Sequence, residues 1–250
     1  MAESAPRNRF TAGLSAAWSG LHLSTRSVEL RTTYVQLVAV LLLMASALDL
    51  LGIWAVLHFV PIEGDASWWA TVALWIARVV GIVVVLLVAP LLSLAVVNVL
   101  FPFLGERVFI AGMRVVAPAR AAELEALPGT PLVPSIVVAV ARLMLFFALS
   151  GLAFLVSLVP VAGAVLGPLT QGFLSARGLA WELLDPYLDK LQLDFGQQRR
   201  FVATHRSALV GFGLPLMLLM AIPVVGPLLF GLAQAAAAKL VIDVIEAPPA

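Results

Sequence analysis

The side chains best placed to do chemistry in this 250-residue chain are charges set inside apolar runs, because a charge at membrane depth is costly unless it is paired or wetted. Asp49 and Arg78 are the charges within the first two long runs, 15 residues before Gly64 and 14 after it. An antiparallel hairpin turning near Gly64 places them at similar depth and predicts an ion pair. Such a pair either ties two helices together, the commoner role, or lines a gated pathway; a third reading has Arg78 snorkelling to the outer surface. The same count sets Arg142 opposite Asp185 about Gly163, and Arg206 nearly opposite Asp243 about Gly226. Arg142 and Arg206 either hold their hairpins at the membrane surface, again the commoner role, or offer guanidinium groups to an oxyanion arriving from the cytoplasm. In the second case, backbone N–H groups where a helix restarts after Gly163 or Gly226 add donors.

Other chemistry finds little support. His22, His58 and His205 lack ligand spacing, the helix serines Ser46, Ser93, Ser150 and Ser157 have no paired base, and there is no cysteine and no phosphate-binding loop. The expectation is therefore a protein that is not an enzyme, with no metal, no cofactor and no nucleic-acid partner. The basic patch Arg199, Arg200, His205 and Arg206 reads as a contact with lipid headgroups.

The elements that must position these charges follow from hydropathy. With 62% hydrophobic and 12% charged residues and a mean hydropathy of +1.06, the chain is an integral membrane protein. Its length holds one helical membrane domain of four to six segments, taken as 34–247, after an N-terminal segment 1–33 and before a short tail 248–250. In the N-terminal segment, which has no secretory signal pattern, Phe10, Leu14, Trp18 and Leu21 recur at helical spacing and predict an amphipathic helix lying in the interface. Tyr34 to Val60 and Trp68 to Leu100 are spanning helices, the second kinked at Pro90. Residues 101–134 read as an amphipathic helix and loop outside the bilayer.

Two later apolar stretches, Pro134 to Ala180 and Ala208 to Ile242, are each interrupted by the same residues: Pro160 and Gly163 in one, Pro223 and Gly226 in the other. Broken backbone in hydrocarbon must be shielded, so both are read as partly penetrating hairpins that turn back. Superposing Pro160 on Pro223 also aligns the Val and Gly that follow, a weak internal repeat. With both hairpins turning back, the basic residues outside the apolar runs share one side, and the positive-inside rule puts both termini in the cytoplasm. Trp54, Trp68 and Trp69 then form an outer aromatic belt, with Trp18 and Trp181 near the inner one.

The stretch Trp181-Glu182-Leu183-Leu184-Asp185-Pro186-Tyr187-Leu188-Asp189, followed by Leu193-Asp194-Phe195, Arg199-Arg200, Arg206 and Gly211-Phe212-Gly213, resembles the CysZ-type sulfate permease and etoposide-induced-protein superfamily. Phe101-Pro102-Phe103 with Glu106-Arg107-Val108, and Ile222-Pro223, resemble further signatures of that family. The resemblance implies an all-α inner-membrane protein with two long spanning helices and two pairs of partly penetrating helices, often self-associated. For the bacterial sulfate branch it implies sulfate uptake feeding cysteine synthesis, with membrane lipid and a small oxyanion as partners. Where that branch carries Gly-Leu-Arg, this chain reads Gly20-Leu21-His22. A neutral imidazole is no bidentate oxyanion clamp, so Arg26 and Arg31 become candidate replacements. The rival class is a membrane organiser that transports nothing and whose half-inserted hairpins act on lipid packing or dock another membrane protein.

Overall fold

Every secondary-structure element among the described residues is helical. The structure is a computed structural model and describes residues 8–26, 28–62, 67–100, 102–222 and 225–247. Pro223 therefore lies outside the described residues. In chain order the helices are α1 (Arg9–Arg26), α2 (Val28–Phe59), α3 (Trp68–Leu100), α4 (Pro102–Val116), α5 (Pro118–Ala126) and α6 (Leu132–Ser157). They continue with α7 (Ala162–Leu183), α8 (Asp185–Lys190), α9 (Phe195–Thr204), α10 (Arg206–Met220) and α11 (Val225–Leu240), which runs into a π-helical turn, Val241–Ile245.

Four helical stretches are long and apolar enough to cross a membrane: Leu30–Phe59, Trp68–Pro90, Leu132–Ser157 and Leu228–Ile245. The chain is a multi-pass, all-α membrane protein. α2 and α3 pack as an antiparallel hairpin whose outer walls, including Trp54, Trp68 and Trp69, are exposed and apolar, as a lipid-facing surface must be. Pro90 lies inside α3, which continues past it.

The core sits elsewhere, around α11. Ala233 and Ala235 to Ala238 are buried, and small side chains there let α1, α4 and α10 approach closely. This adds to one expectation and corrects another. The helix expected within 101–134 is present as α4, which packs along α11 and buries Val108, Phe109, Ile110 and Met113. α1 is the expected helix, but the face it buries holds Gly13, Ala16, Ala17, Gly20 and Ser24, about a quarter turn from the Phe10–Leu14–Trp18–Leu21 stripe. Trp18 stays 55% exposed. Close helix contact selects small residues, so the large apolar ones fall to the flank. Trp181 likewise leaves the proposed inner belt: it is buried and donates from Nε1 to Gln198 Oε1 at 2.9 Å.

Both interrupted stretches are hairpins, α6 with α7 and α10 with α11. In the first, Ala162 N–H bonds Pro160 O at 2.7 Å across Val161, whose φ of 62° and ψ of −59° are those of a tight γ-turn. Gly163 N–H then bonds Val159 O, and a Cβ at Gly163 would meet Ser157 O at 2.4 Å. Gly226 repeats this: its N–H bonds Ile222 O, and a Cβ would meet Met220 O at 2.3 Å. In each hairpin the glycine lets the restarting helix close against the carbonyl six residues back, which gives the weak sequence repeat a geometric basis. The tips expose Leu158, Val159 and Val161 in one and Leu218 and Ile222 in the other. Apolar tips belong in hydrocarbon. From Arg142 to Ser157, and from Ala162 to Arg177, is about 23 Å in each arm, while the whole of α6, about 38 Å, exceeds the ~30 Å hydrocarbon core.

Candidate functional site

The charged residues converge where α6, α7 and α8 meet. Arg142, two turns and more into α6, is only 8% exposed. Its Nη1 donates to Asp185 Oδ1, and its Nη2 lies 3.2 Å from Glu182 Oε2. Glu182 and Asp185 are three apart where α7 passes into α8, so both carboxylates reach the same guanidinium. The depth count therefore places Arg142 and Asp185 correctly. Arg142 is occupied, and only its Nε lacks a partner.

Beside this triad runs a cleft of ≈540 Å³ between α6 and α7. Ser135 stands at its mouth; Val140, Leu143, Phe146 and Leu149 form the α6 wall. Nearer the tip, Gln171 Nε2 donates to Ser150 Oγ at 3.2 Å between the two helices. Arg177 also lines the cleft, with its Nε buried and unpartnered. A smaller crevice of ≈260 Å³ shares Ser135, Glu182 and Asp185 with the cleft and adds Glu106, Asp189 and Gln234. Lys190 offsets part of this acidity by pairing with Glu106 at 2.8 Å while donating to Leu127 O. Burial pushes the Asp189 carboxyl above its ordinary range, against the opposing pull of hydrogen bonds from Thr130. Gln234 Oε1 is buried and accepts no bond. Glu246 accepts three bonds from Arg120 and one from Tyr187 at 2.8 Å, fastening the end of the π-helical turn to α5 and α8. Burial, with the Glu246 charge beside it, raises the Tyr187 pKa. Among the described residues, no group of three or more His, Asp or Glu side chains is arranged to hold a metal ion.

The remaining expected site residues lie apart from this triad. Gly20 is buried against α11, where a Cβ would meet that of Ala236 at 2.7 Å. Its place in Gly20-Leu21-His22 is thus a packing contact, with Leu21 half-buried and His22 exposed. Arg26 ends α1, and its side chain lies outside the described residues; Arg31 is exposed on α2.

Asp49 and Arg78 do not pair, which corrects the expectation. Arg78 Nη2 donates to Leu57 O at 3.3 Å and its guanidinium stacks over Trp75, while Asp49 Oδ1 is buried without a partner. The cause is stagger. A Cβ on Gly52 would meet Val85 and one on Gly81 would meet Val56, a register that sets Asp49 beside position 88, about 15 Å along the helix from Arg78. Asp243 likewise pairs with Lys239 at 2.7 Å, one turn away on the same strand of helix, rather than with Arg206.

Sequence reasoning missed Arg177, Glu182 and Gln234. Glu182 was findable, since it shares a helical face with Asp185 and so faces whatever Asp185 faces. Arg177 and Gln234 carry no signal of spacing. A family described as "Sulfate transporter CysZ/Etoposide-induced protein 2.4" matches residues 16–230 of the chain. No curated protein matches it in a sequence comparison. The match covers the two long helices, the first hairpin and most of the second, and the chain belongs to this family.

Proposed function

We propose that this member of the family is a transport protein, permease or channel-like, for a small oxyanion, with sulfate first, in a bacterial inner membrane with both termini cytoplasmic. The observation that carries the reading is Arg142: a guanidinium buried in an apolar hairpin, at the side of a cleft, held by two carboxylates. Carboxylate and sulfate present similar oxygen pairs to a guanidinium, so an arriving dianion competes with Asp185 and Glu182 for the same donors. The empty protein is latched by its own acids, and the anion opens the latch by substitution. Because the neighbouring crevice is acidic, an anion gains Arg142 only as that guanidinium is released from Asp185 and Glu182. No covalent chemistry, metal or cofactor enters this reading, and self-association is compatible with it.

Radiolabelled sulfate uptake into proteoliposomes tests the proposal. Arg142→Ala should abolish saturable uptake, and Arg26→Ala or Arg31→Ala should lower it if those residues replace the missing arginine at His22. Asp185→Asn should lower the half-saturating sulfate concentration about five- to tenfold, the equivalent of losing ~1–1.4 kcal/mol of competing ion pair. Wild-type protein that passes no oxyanion at all would overturn transport and favour the second reading, a membrane organiser. That reading rests on the apolar tips of both hairpins and the apolar walls of the cleft.

A further inference from the structure

The smaller crevice beside the Arg142 triad keeps two acceptors short of a cation. Four carboxylates line it, those of Glu106, Glu182, Asp185 and Asp189. Lys190 answers Glu106, and Arg142 answers Glu182 and Asp185. Asp189 forms no ion pair among the described residues. Thr130 and Ser135 give it neutral donors only, and burial holds its carboxyl above the ordinary range.

Gln234 supplies the second, independent observation. Its side chain lines the crevice from α11, is 5% exposed, and has a buried Oε1 that accepts no bond. An unfilled acceptor in such a place is costly, and a donor or a cation relieves it. Gly105 makes room for the amide: a Cβ there would lie 2.7 Å from Nε2 and 2.8 Å from Oε1. The amide torsion is broad and roughly two-fold, so Oε1 can turn toward an arriving donor at little cost.

The kind of cation follows from the lining. Among the described residues, no group of three or more His, Asp or Glu side chains is arranged to hold a metal ion, whereas an ammonium needs only separate acceptors for its N–H groups. Leu132, Pro186 and Phe230 complete the walls with apolar surface, which suits methylene groups better than a hydrated ion. The volume of ≈260 Å³ lies just below the ~300–1,000 Å³ of drug-sized sites, so the ligand is small.

We propose that this crevice binds a small aliphatic amine as its ammonium ion, which donates to the Asp189 carboxylate and to Gln234 Oε1 and lays its carbon chain against Leu132 and Phe230. The site shares Glu182 and Asp185 with the latch on Arg142, but its occupation goes beyond oxyanion transport and needs no flux.

Isothermal titration of the full chain in detergent at pH 7 with n-butylamine hydrochloride reads the site directly, against sodium chloride and tetramethylammonium chloride at the same ionic strength. Butylamine should bind saturably, one per chain. Tetramethylammonium, which brings charge without an N–H, should bind about tenfold more weakly or worse, and sodium should give no saturable heat. Asp189→Asn should weaken butylamine about tenfold, the worth of one hydrogen bond to a charged group. Because that variant should be the more stable one at pH 7, its weaker binding cannot be laid to a folding defect. Gln234→Leu should weaken butylamine about threefold, the worth of a neutral acceptor. Glu123→Gln removes an exposed carboxylate outside the crevice and should change nothing. No saturable butylamine site, equal binding of the three cations, or unchanged affinity in Asp189→Asn and Gln234→Leu would overturn the proposal.

Discussion

Gly211→Ala asks whether α1 is part of the core or a helix resting on the membrane. A Cβ at Gly211 would lie 2.1 Å from Phe10 O, and one at Gly13 would lie 2.1 Å from Ala208 O. Carbon and oxygen tolerate roughly 3.3 Å, so either methyl drives α1 and α10 apart by about 1 Å. A gap of that size forfeits a quarter to a half of the attraction at the contacts it opens, and overpacking of this kind costs ~1–3 kcal/mol. Alanine regains up to ~1 kcal/mol of helix propensity, leaving a net loss of about 1–2 kcal/mol. Gly151 isolates that propensity, because it lies in α6 with nothing within 4 Å of its would-be Cβ, so Gly151→Ala should stabilise. The two crowded glycines share one crossing, so Gly13→Ala with Gly211→Ala should cost clearly less than the sum: helices already parted have little more to lose. Thermal unfolding in detergent, followed by circular dichroism, should show Gly211→Ala lowered by a few degrees, with faster proteolysis within α1. If Gly211→Ala behaves like Gly151→Ala and α1 is no more cleavable, the close crossing does not exist.

Arg142→Ala, Asp185→Ala and their double variant should show coupling of about 1–3 kcal/mol in unfolding: Arg142 is buried, but its partners are part-exposed and screened. Coupling under ~0.5 kcal/mol would reduce the triad to a surface pair. Val161→Gly should stabilise by about 1 kcal/mol in the same assay, since a β-branched residue at φ 62°, 90% exposed, is strained without being packed; an unchanged midpoint would show that the turn is not held in that geometry. A carboxyl whose pKa the fold raises binds its proton more tightly folded than unfolded. Its contribution is present at acid pH and lost as pH rises through the raised value. Asp189→Asn should therefore stabilise at pH 7, with the gain shrinking as pH falls towards the ordinary carboxyl value of 3.8; a gain independent of pH would refute the burial argument.

The spacing of charges about a turn was a sound guide where the turn is short. Four residues, 158–161, join α6 to α7, so counting outward from Gly163 brings Arg142 to Asp185. Between α2 and α3 the connection is longer and the register is set elsewhere, by Gly52 against Val85 and Gly81 against Val56. Loop length says nothing about which valine a glycine will accept, so the count fails for Asp49 and Arg78. α1 illustrates another limit. Amphipathicity marks the large apolar side chains, but a helix crossing other helices at close range buries its smallest ones, and Gly13 and Ala17 look unremarkable in sequence. A single Trp181 likewise reads equally well as belt or core until Gln198 is placed beside its indole.

The two hairpins share one backbone device and divide the work by side-chain size. Gly163 and Gly226 each close against a carbonyl six residues back, yet α11 carries alanines at 233 and 235–238 and is drawn into the centre of the bundle, while α6 carries valine, leucine and phenylalanine and stays at its edge. An alanine-rich arm packs without gaps because neighbours reach its backbone. An arm of bulky, staggered side chains meets chiefly its partner α7, and what it does not fill remains as the cleft. The open volume, the occupied arginine and Arg177 all lie in this looser hairpin, whose close contacts of Gly163 and Gly167 with Ser157 are confined to its tip. A site that must admit and release something cannot be built where a methyl group already costs a kilocalorie. Replacing Val140 and Leu143 by Ala should then widen the cleft with little loss of stability, because those side chains are half-exposed and support no other helix.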